Sequence, residues 1–122
     1  MKGKYRIRIQ NNKIRYDFEI KRNITVIKGD SATGKTTLVD MIREYYEDGR
    51  DSGIEMSCPV TCSVIEGKNW KSQMDLFQGS ILFSDEGNRF VAAEEFAKAI
   101  RGSGNYFGIV TRGRLPRLLH SV

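Results

Sequence analysis

Hydrophobic and polar positions alternate from the start of the chain. Tyr5, Ile7 and Ile9 interleave with Lys4, Arg6, Arg8 and Gln10, a period of two that predicts a strand with one buried face. Asn11-Asn12 interrupts the pattern, and asparagine accepts positive φ at little cost, so a turn is expected there. Ile14, Tyr16, Phe18 and Ile20 then alternate again, completing an antiparallel hairpin. After Asn23 the short β-branched run Ile24-Thr25-Val26-Ile27 predicts a strand buried on both faces. The period changes at Leu38, Met41, Ile42 and Tyr45, spaced as one stripe of an amphipathic helix.

The polar stretch at residues 47–53 predicts a loop. Residues 54–65, rich in Val, Ile, Thr and Cys, predict one strand or a bent pair broken near Pro59. Residues 70–77 suit a short helix, with Trp70 as a cover over the core. Ser80-Ile81-Leu82-Phe83-Ser84 predicts a strand ending at Asp85-Glu86. Ala93, Phe96, Ala97 and Ile100 mark a helix stopped by Gly102 and Gly104, and residues 106–110 a final strand. Strands alternating with helices imply an α/β fold, a mainly parallel sheet flanked by helices and preceded by an antiparallel hairpin. The expected organisation is one domain over residues 1–122: the hairpin to residue 23, a core over 24–112 and a basic tail over 113–122.

The chemistry concentrates between the β-branched strand and the first helix. Gly29, Asp30, Ser31, Ala32, Thr33, Gly34, Lys35 and Thr36, followed by Thr37, satisfy G-x-x-x-x-G-K-[ST] at every fixed position. The two glycines let backbone N–H groups turn inward around an anion, and a helix start adds its unpaired amides and positive dipole end. Lys35 is expected to reach the β- and γ-phosphates of a nucleotide, and the Thr36 hydroxyl to bind Mg²⁺. A carboxylate at the end of a buried parallel strand lies where open α/β sheets bind ligands. Asp85 is therefore expected to hold Mg²⁺ opposite Thr36, and Glu86 to polarise an attacking water. The competing reading of Asp85-Glu86 is a cap on the following helix. Thr111 and Arg112 end another strand; they suit the γ-phosphate and the charge that develops on transfer, or else they begin a polar loop.

On these residues the chain resembles the P-loop NTPases, in the additional-strand, catalytic-glutamate division that holds ABC-type and AAA-type ATPases. Residues 29–36 resemble a Walker A motif, residues 81–86 a Walker B strand, and Thr111 a sensor position. The opening hairpin is similar to that of ABC-type domains. The resemblance implies that the Walker B and Thr111 strands are neighbours, with Thr111 beside the phosphate loop. It does not extend to an L-S-G-G-Q segment, and 49 residues lie between Lys35 and Asp85, as in a minimal or truncated member. With no N-K-x-D segment, ATP is the nucleotide implied, with Mg²⁺.

Charge and cysteine content refine this picture. The 122 residues carry 20 Lys and Arg against 15 Asp and Glu, a net +5 that suits an anionic partner. No apolar run approaches the ~20 residues of a membrane span, and the charged opening is unlike a signal peptide, so a cytoplasmic location is expected. Cys58 and Cys62 would lie roughly 13 Å apart along a strand, too far for a disulfide, and read as separate reduced thiols. The reading is thus ATP binding and Mg²⁺-dependent hydrolysis, with a homo-oligomer or protein partner where the site is completed between subunits. Two alternatives stand beside it. One is a small phosphotransferase whose Arg112, Arg114 and Arg117 close over two substrates; the other is a non-catalytic nucleotide or nucleic-acid module using the Arg6 and Arg8 face together with residues 112–117.

Overall fold

The computed structural model describes residues 3–21, 23–28, 32–85 and 88–111, with backbone only at residues 28, 32–37, 89 and 92. Gly29, Asp30, Ser31, Glu86, Arg112, Arg114 and Arg117 of the sequence reading lie outside the described residues. The opening hairpin forms as expected, from β1 (Lys4–Gln10) and β2 (Arg15–Lys21), paired antiparallel with Ile7 opposite Phe18. Its turn works differently from the expectation. No described residue other than glycine has positive φ. Instead the Asn11 carboxamide oxygen accepts from the backbone N–H groups of Lys13 and Ile14, each at 2.8 Å. The side chain closes the turn that left-handed backbone would otherwise make.

The remaining strands are β3 (Ile24–Lys28), β4 (Glu55–Ser57), β5 (Cys62–Val64), β6 (Ile81–Asp85) and β7 (Tyr106–Thr111). The helices are α1 (Ala32–Asp48), α2 (Trp70–Asp75) and α3 (Glu94–Gly102). Residues 54–65 resolve as the bent pair, and its halves enter different sheets. β4 extends the hairpin into a three-stranded antiparallel sheet ordered β2-β1-β4, while β5 joins a four-stranded sheet ordered β3-β7-β6-β5. All three pairings of the second sheet are parallel.

Side-chain alternation gives the parallel sheet two apolar faces. Ile81, Phe83 and Val110 face Leu38, Val39, Met41 and Ile42 of α1 together with Ile7, Ile9 and Ile20 of the antiparallel sheet. Leu82, Phe107 and Ile109 on the other face meet Trp70, Met74, Phe96, Ala97 and Ile100. Trp70 is buried, stacked on Phe90 with ring centroids 5.2 Å apart, which makes it core. β3 departs from the expectation of burial on both faces. It is the sheet's edge strand, laddered to β7 on one side, while Thr25 Oγ1 accepts from the Lys21 N–H of β2 at 2.8 Å and Val26 is 41% exposed. A β-branched run of four residues packs equally well at an edge or in a centre, so its composition leaves the position open.

Polar ties hold the ends together. The Tyr106 hydroxyl donates to the Gly3 carbonyl at 2.7 Å, fastening the chain's beginning to the last described strand. Asn105, 4% exposed, accepts from Ser80 N–H at 2.9 Å and donates to the Phe77 carbonyl at 3.0 Å. Replacing Asn105 with leucine strands the Ser80 amide and Phe77 carbonyl in the interior. A loss of about 2–3 kcal/mol of unfolding free energy is expected, read by urea denaturation with an unchanged slope.

Candidate functional site

The parallel strands all finish at one edge of the sheet, and of the described motif residues Asp85 and Thr111 end two of them. β3 ends at Lys28, and α1 begins four positions later at Ala32. Ala32, Thr33, Gly34, Lys35, Thr36 and Thr37 all belong to α1, so the helix starts inside the glycine-lysine motif instead of after it. Alanine is the strongest helix former, and no proline blocks the early start. The first four N–H groups of such a helix have no intrahelical acceptor and carry the positive end of its dipole. No acidic residue lies in the first turn to offset that charge.

β7 lies between β3 and β6. Thr111 is in register with Lys28, and Asp85 with Val110. Thr111 is therefore on the strand next to the one that leads into α1, and Asp85 on the strand after that, roughly 10 Å across at ordinary strand spacing. Asp85 follows Ile81 and Phe83 on the face that packs against α1, the same side as Thr36, and is partly exposed. Thr111 is fully buried as the last residue of β7.

Glu86, half of the capping alternative, lies outside the described residues. The 3-10 turn that follows, Arg89–Ala92, has Asn88 at its N-cap position. Asn88 instead pins the end of β6. Its carboxamide nitrogen donates to Ser84 Oγ at 3.0 Å and to the Asp85 carbonyl at 3.3 Å, and its backbone N–H reaches the same carbonyl at 3.2 Å. Its carboxamide oxygen accepts from Gly67 N–H at 3.0 Å. The loop after β5 is fixed on its other side by Arg43 of α1, whose guanidinium makes paired hydrogen bonds to Glu66 at 2.9 and 3.2 Å and a third to Asp40 at 2.7 Å. One bridging network thus ties the first helix, the loop after β5 and the strand end that carries Asp85.

Asn88 was not among the sequence candidates. An asparagine three residues after a strand-end acid is the only signal it leaves, and its bridge spans 21 residues to Gly67. Asn88→Ala is expected to cost about 1 kcal/mol, because the part-buried bonds to Ser84 and Asp85 and the exposed one from Gly67 are lost together. Hydrogen exchange at the Gly67 amide checks it, with protection falling at that amide more than in β7.

On the basic face considered for nucleic acid, Arg6 and Arg8 share one carboxylate, and Arg112, Arg114 and Arg117 lie outside the described residues. Arg6 donates to Asp17 through two nitrogens at 2.9 and 3.0 Å, and Arg8 approaches the same carboxylate at 3.3 Å. The Arg6 hydrogen bonds, with the nearby positive charges, hold the Asp17 carboxyl below the usual carboxylate range. No group of three metal-ligating side chains occurs among the described residues, and none of their helices is long and apolar enough to cross a membrane. Compared with known proteins, the chain finds no match among family models, curated proteins or solved structures.

Proposed function

We propose that the carboxyl edge of the parallel sheet binds ATP and hydrolyses it with Mg²⁺. One observation carries this reading: the start of α1, Thr111 and Asp85 meet at the ends of three adjacent parallel strands, with the helix start following β3 directly. Phosphate is attracted there by the free amides of the first helical turn, and Lys35 adds a mobile cation to them. In this reading the backbone from Gly29 to Thr37 cradles the phosphates, and Arg112 neutralises charge that spreads over the transferred group.

The donor set fits a magnesium ion. A hydroxyl and a carboxylate are hard oxygen ligands, and Mg²⁺ keeps several waters beside one or two such protein ligands. Thr36 and Asp85 would hold it, since Asp85 stands on the α1 side of the sheet and is partly exposed. When bound, the ion supplies charge neutralisation at the phosphates. Glu86, next in the chain after Asp85, orients the attacking water and accepts its proton. Thr111 contributes a hydroxyl at the strand between them.

Thermal unfolding with Mg²⁺ and ATP, ADP or GTP tests the reading. At a hundredfold excess over the dissociation constant, ATP adds about 2.7 kcal/mol of stability, a rise of several degrees in Tm. Lys35→Ala removes that rise while leaving the ligand-free melt close to the parent. Glu86→Gln keeps the rise and loses turnover by about a hundredfold or more. Equal stabilisation of the parent and Lys35→Ala, or none by any nucleotide at millimolar concentration, overturns the proposal.

A further inference from the structure

The bend between β4 and β5 corrects the reading of the two cysteines as separate thiols. The chain does not run extended from residue 58 to residue 62. It turns through Pro59 and Val60, and Cys62 Sγ donates to Cys58 Sγ at 3.5 Å. The two sulfurs differ in access. Cys62 is 7% exposed, within the core shared by both sheets. Cys58 is half-buried, and both cysteines border an open pocket of about 220 Å³ that Tyr45, Tyr46, Met56 and Thr61 also line.

Their acidities diverge in the same sense. The hydrogen bond from Cys62, aided by the Val60 backbone, lowers the Cys58 thiol, against the opposing effect of burial. The same sulfur contact and burial raise Cys62. An accessible, acidified thiol beside a sheltered partner is the arrangement of an attacking and a resolving cysteine. A zinc site is not supported, because two sulfurs fall short of the four ligands of a structural centre and no third ligand-type side chain joins them among the described residues.

We propose that Cys58 and Cys62 are a reactive dithiol that reduces low-molecular-weight disulfides and closes into an intramolecular disulfide. The Cys58 thiolate attacks one sulfur of the small disulfide; its S–S bond breaks, and the first small thiol leaves and takes up a proton. Cys62 then attacks the Cys58 sulfur, releasing its own proton and expelling the second small thiol, which is protonated in turn. One small disulfide gains two electrons and two protons, and the two cysteines lose them. Closing the bond brings the sulfurs from 3.5 Å to about 2 Å, a change within the reach of the turn. The closed loop would pin the junction between the two sheets where it packs on Tyr45 of α1. This proposal is independent of nucleotide binding.

The test uses the folded, reduced chain exposed to oxidised glutathione at neutral pH, quenched by alkylation and read by intact mass. The expected product has lost two hydrogens and has neither cysteine open to alkylation. Cys62→Ser is expected to stop with one glutathione on Cys58. In Cys58→Ser, Cys62 is expected to alkylate about tenfold or more slowly than Cys58 does in Cys62→Ser. The wild-type arm stands even where a variant folds poorly. The proposal is overturned if the folded wild type accumulates a stable mixed disulfide or an intermolecular dimer. It also falls if the folded chain keeps both thiols under conditions that oxidise the same chain unfolded in guanidinium.

Discussion

Gly108→Val is expected to leave little folded protein, because position 108 has no room for a side chain. Gly108 is buried in the middle of β7, in register with Phe83 of β6 and Thr25 of β3. A Cβ there would lie 2.7 Å from two ring carbons of Phe83 and 3.4 Å from Cδ1 of Ile20. The ring cannot swing away freely, since it is fully buried and meets Phe18 edge-on at 6.1 Å. Gly108→Ala alone should cost about 1–3 kcal/mol of overpacking, which exceeds the 0.4–1 kcal/mol that alanine returns by restricting the unfolded chain. Valine adds two more methyl groups on the same face, and the loss becomes a large share of the ~5–15 kcal/mol typical of a domain. The clash also pushes β7 away from β6, and with it Thr111 from Asp85, so any stabilisation by nucleotide under the proposed function should weaken in step. Pairing Gly108→Ala with Phe83→Leu checks the cause. The double variant should recover stability relative to the sum of the singles, and a Gly108→Ala melting temperature within about 1 °C of the parent would rule the clash out.

Periodicity carried most of the fold. The alternation at Tyr5–Ile9 and the stripe through Leu38 and Ile42 each span enough residues to report one buried face, and both elements form where the pattern puts them. Strand ends were legible as well, because an apolar run that stops at an acid or a hydroxyl marks where a buried strand meets solvent. Asp85 and Thr111 were found that way, and their strands are neighbours beside β3. Sheet membership was not legible for β4, whose three residues carry no usable period; only pairing with β1, 45 positions earlier between Gln10 and Glu55, assigns it. The same bend decides the cysteines: a local spacing of four gives opposite distances for extended chain and for a turn. Asn11 shows a further limit, since one residue type supports two turn mechanisms and the backbone angles alone distinguish them. Asn88 was invisible because its role consists of partners on another loop, and bridges of that kind leave no local pattern.

Phe96→Ala is expected to produce the second large loss, and the chain reports on it with its own fluorophore. Phe96 is fully buried on the inner face of α3 and stands edge-on to three rings: Trp70 at 5.4 Å, Phe90 at 5.0 Å and Phe107 at 6.0 Å between centroids. α2 has only six residues, too short to be stable by itself, so its position depends on this packing. Truncation to alanine removes the apolar contacts and leaves a cavity that the parallel sheet on one side cannot collapse to fill. A cost of about 3–5 kcal/mol is expected, part of it from the lost edge-on ring pairs. Phe96→Leu keeps most of the volume and should cost well under half as much. Trp70 is the sole tryptophan, buried against Phe90 and Phe96, so its emission follows the state of the cluster directly. In Phe96→Ala that emission should shift to the red below the global melting temperature, as α2 and its neighbouring turn loosen before the sheet. If Trp70 emission and far-UV circular dichroism instead change together at the parent's midpoint, the ring cluster does not hold α2 in place.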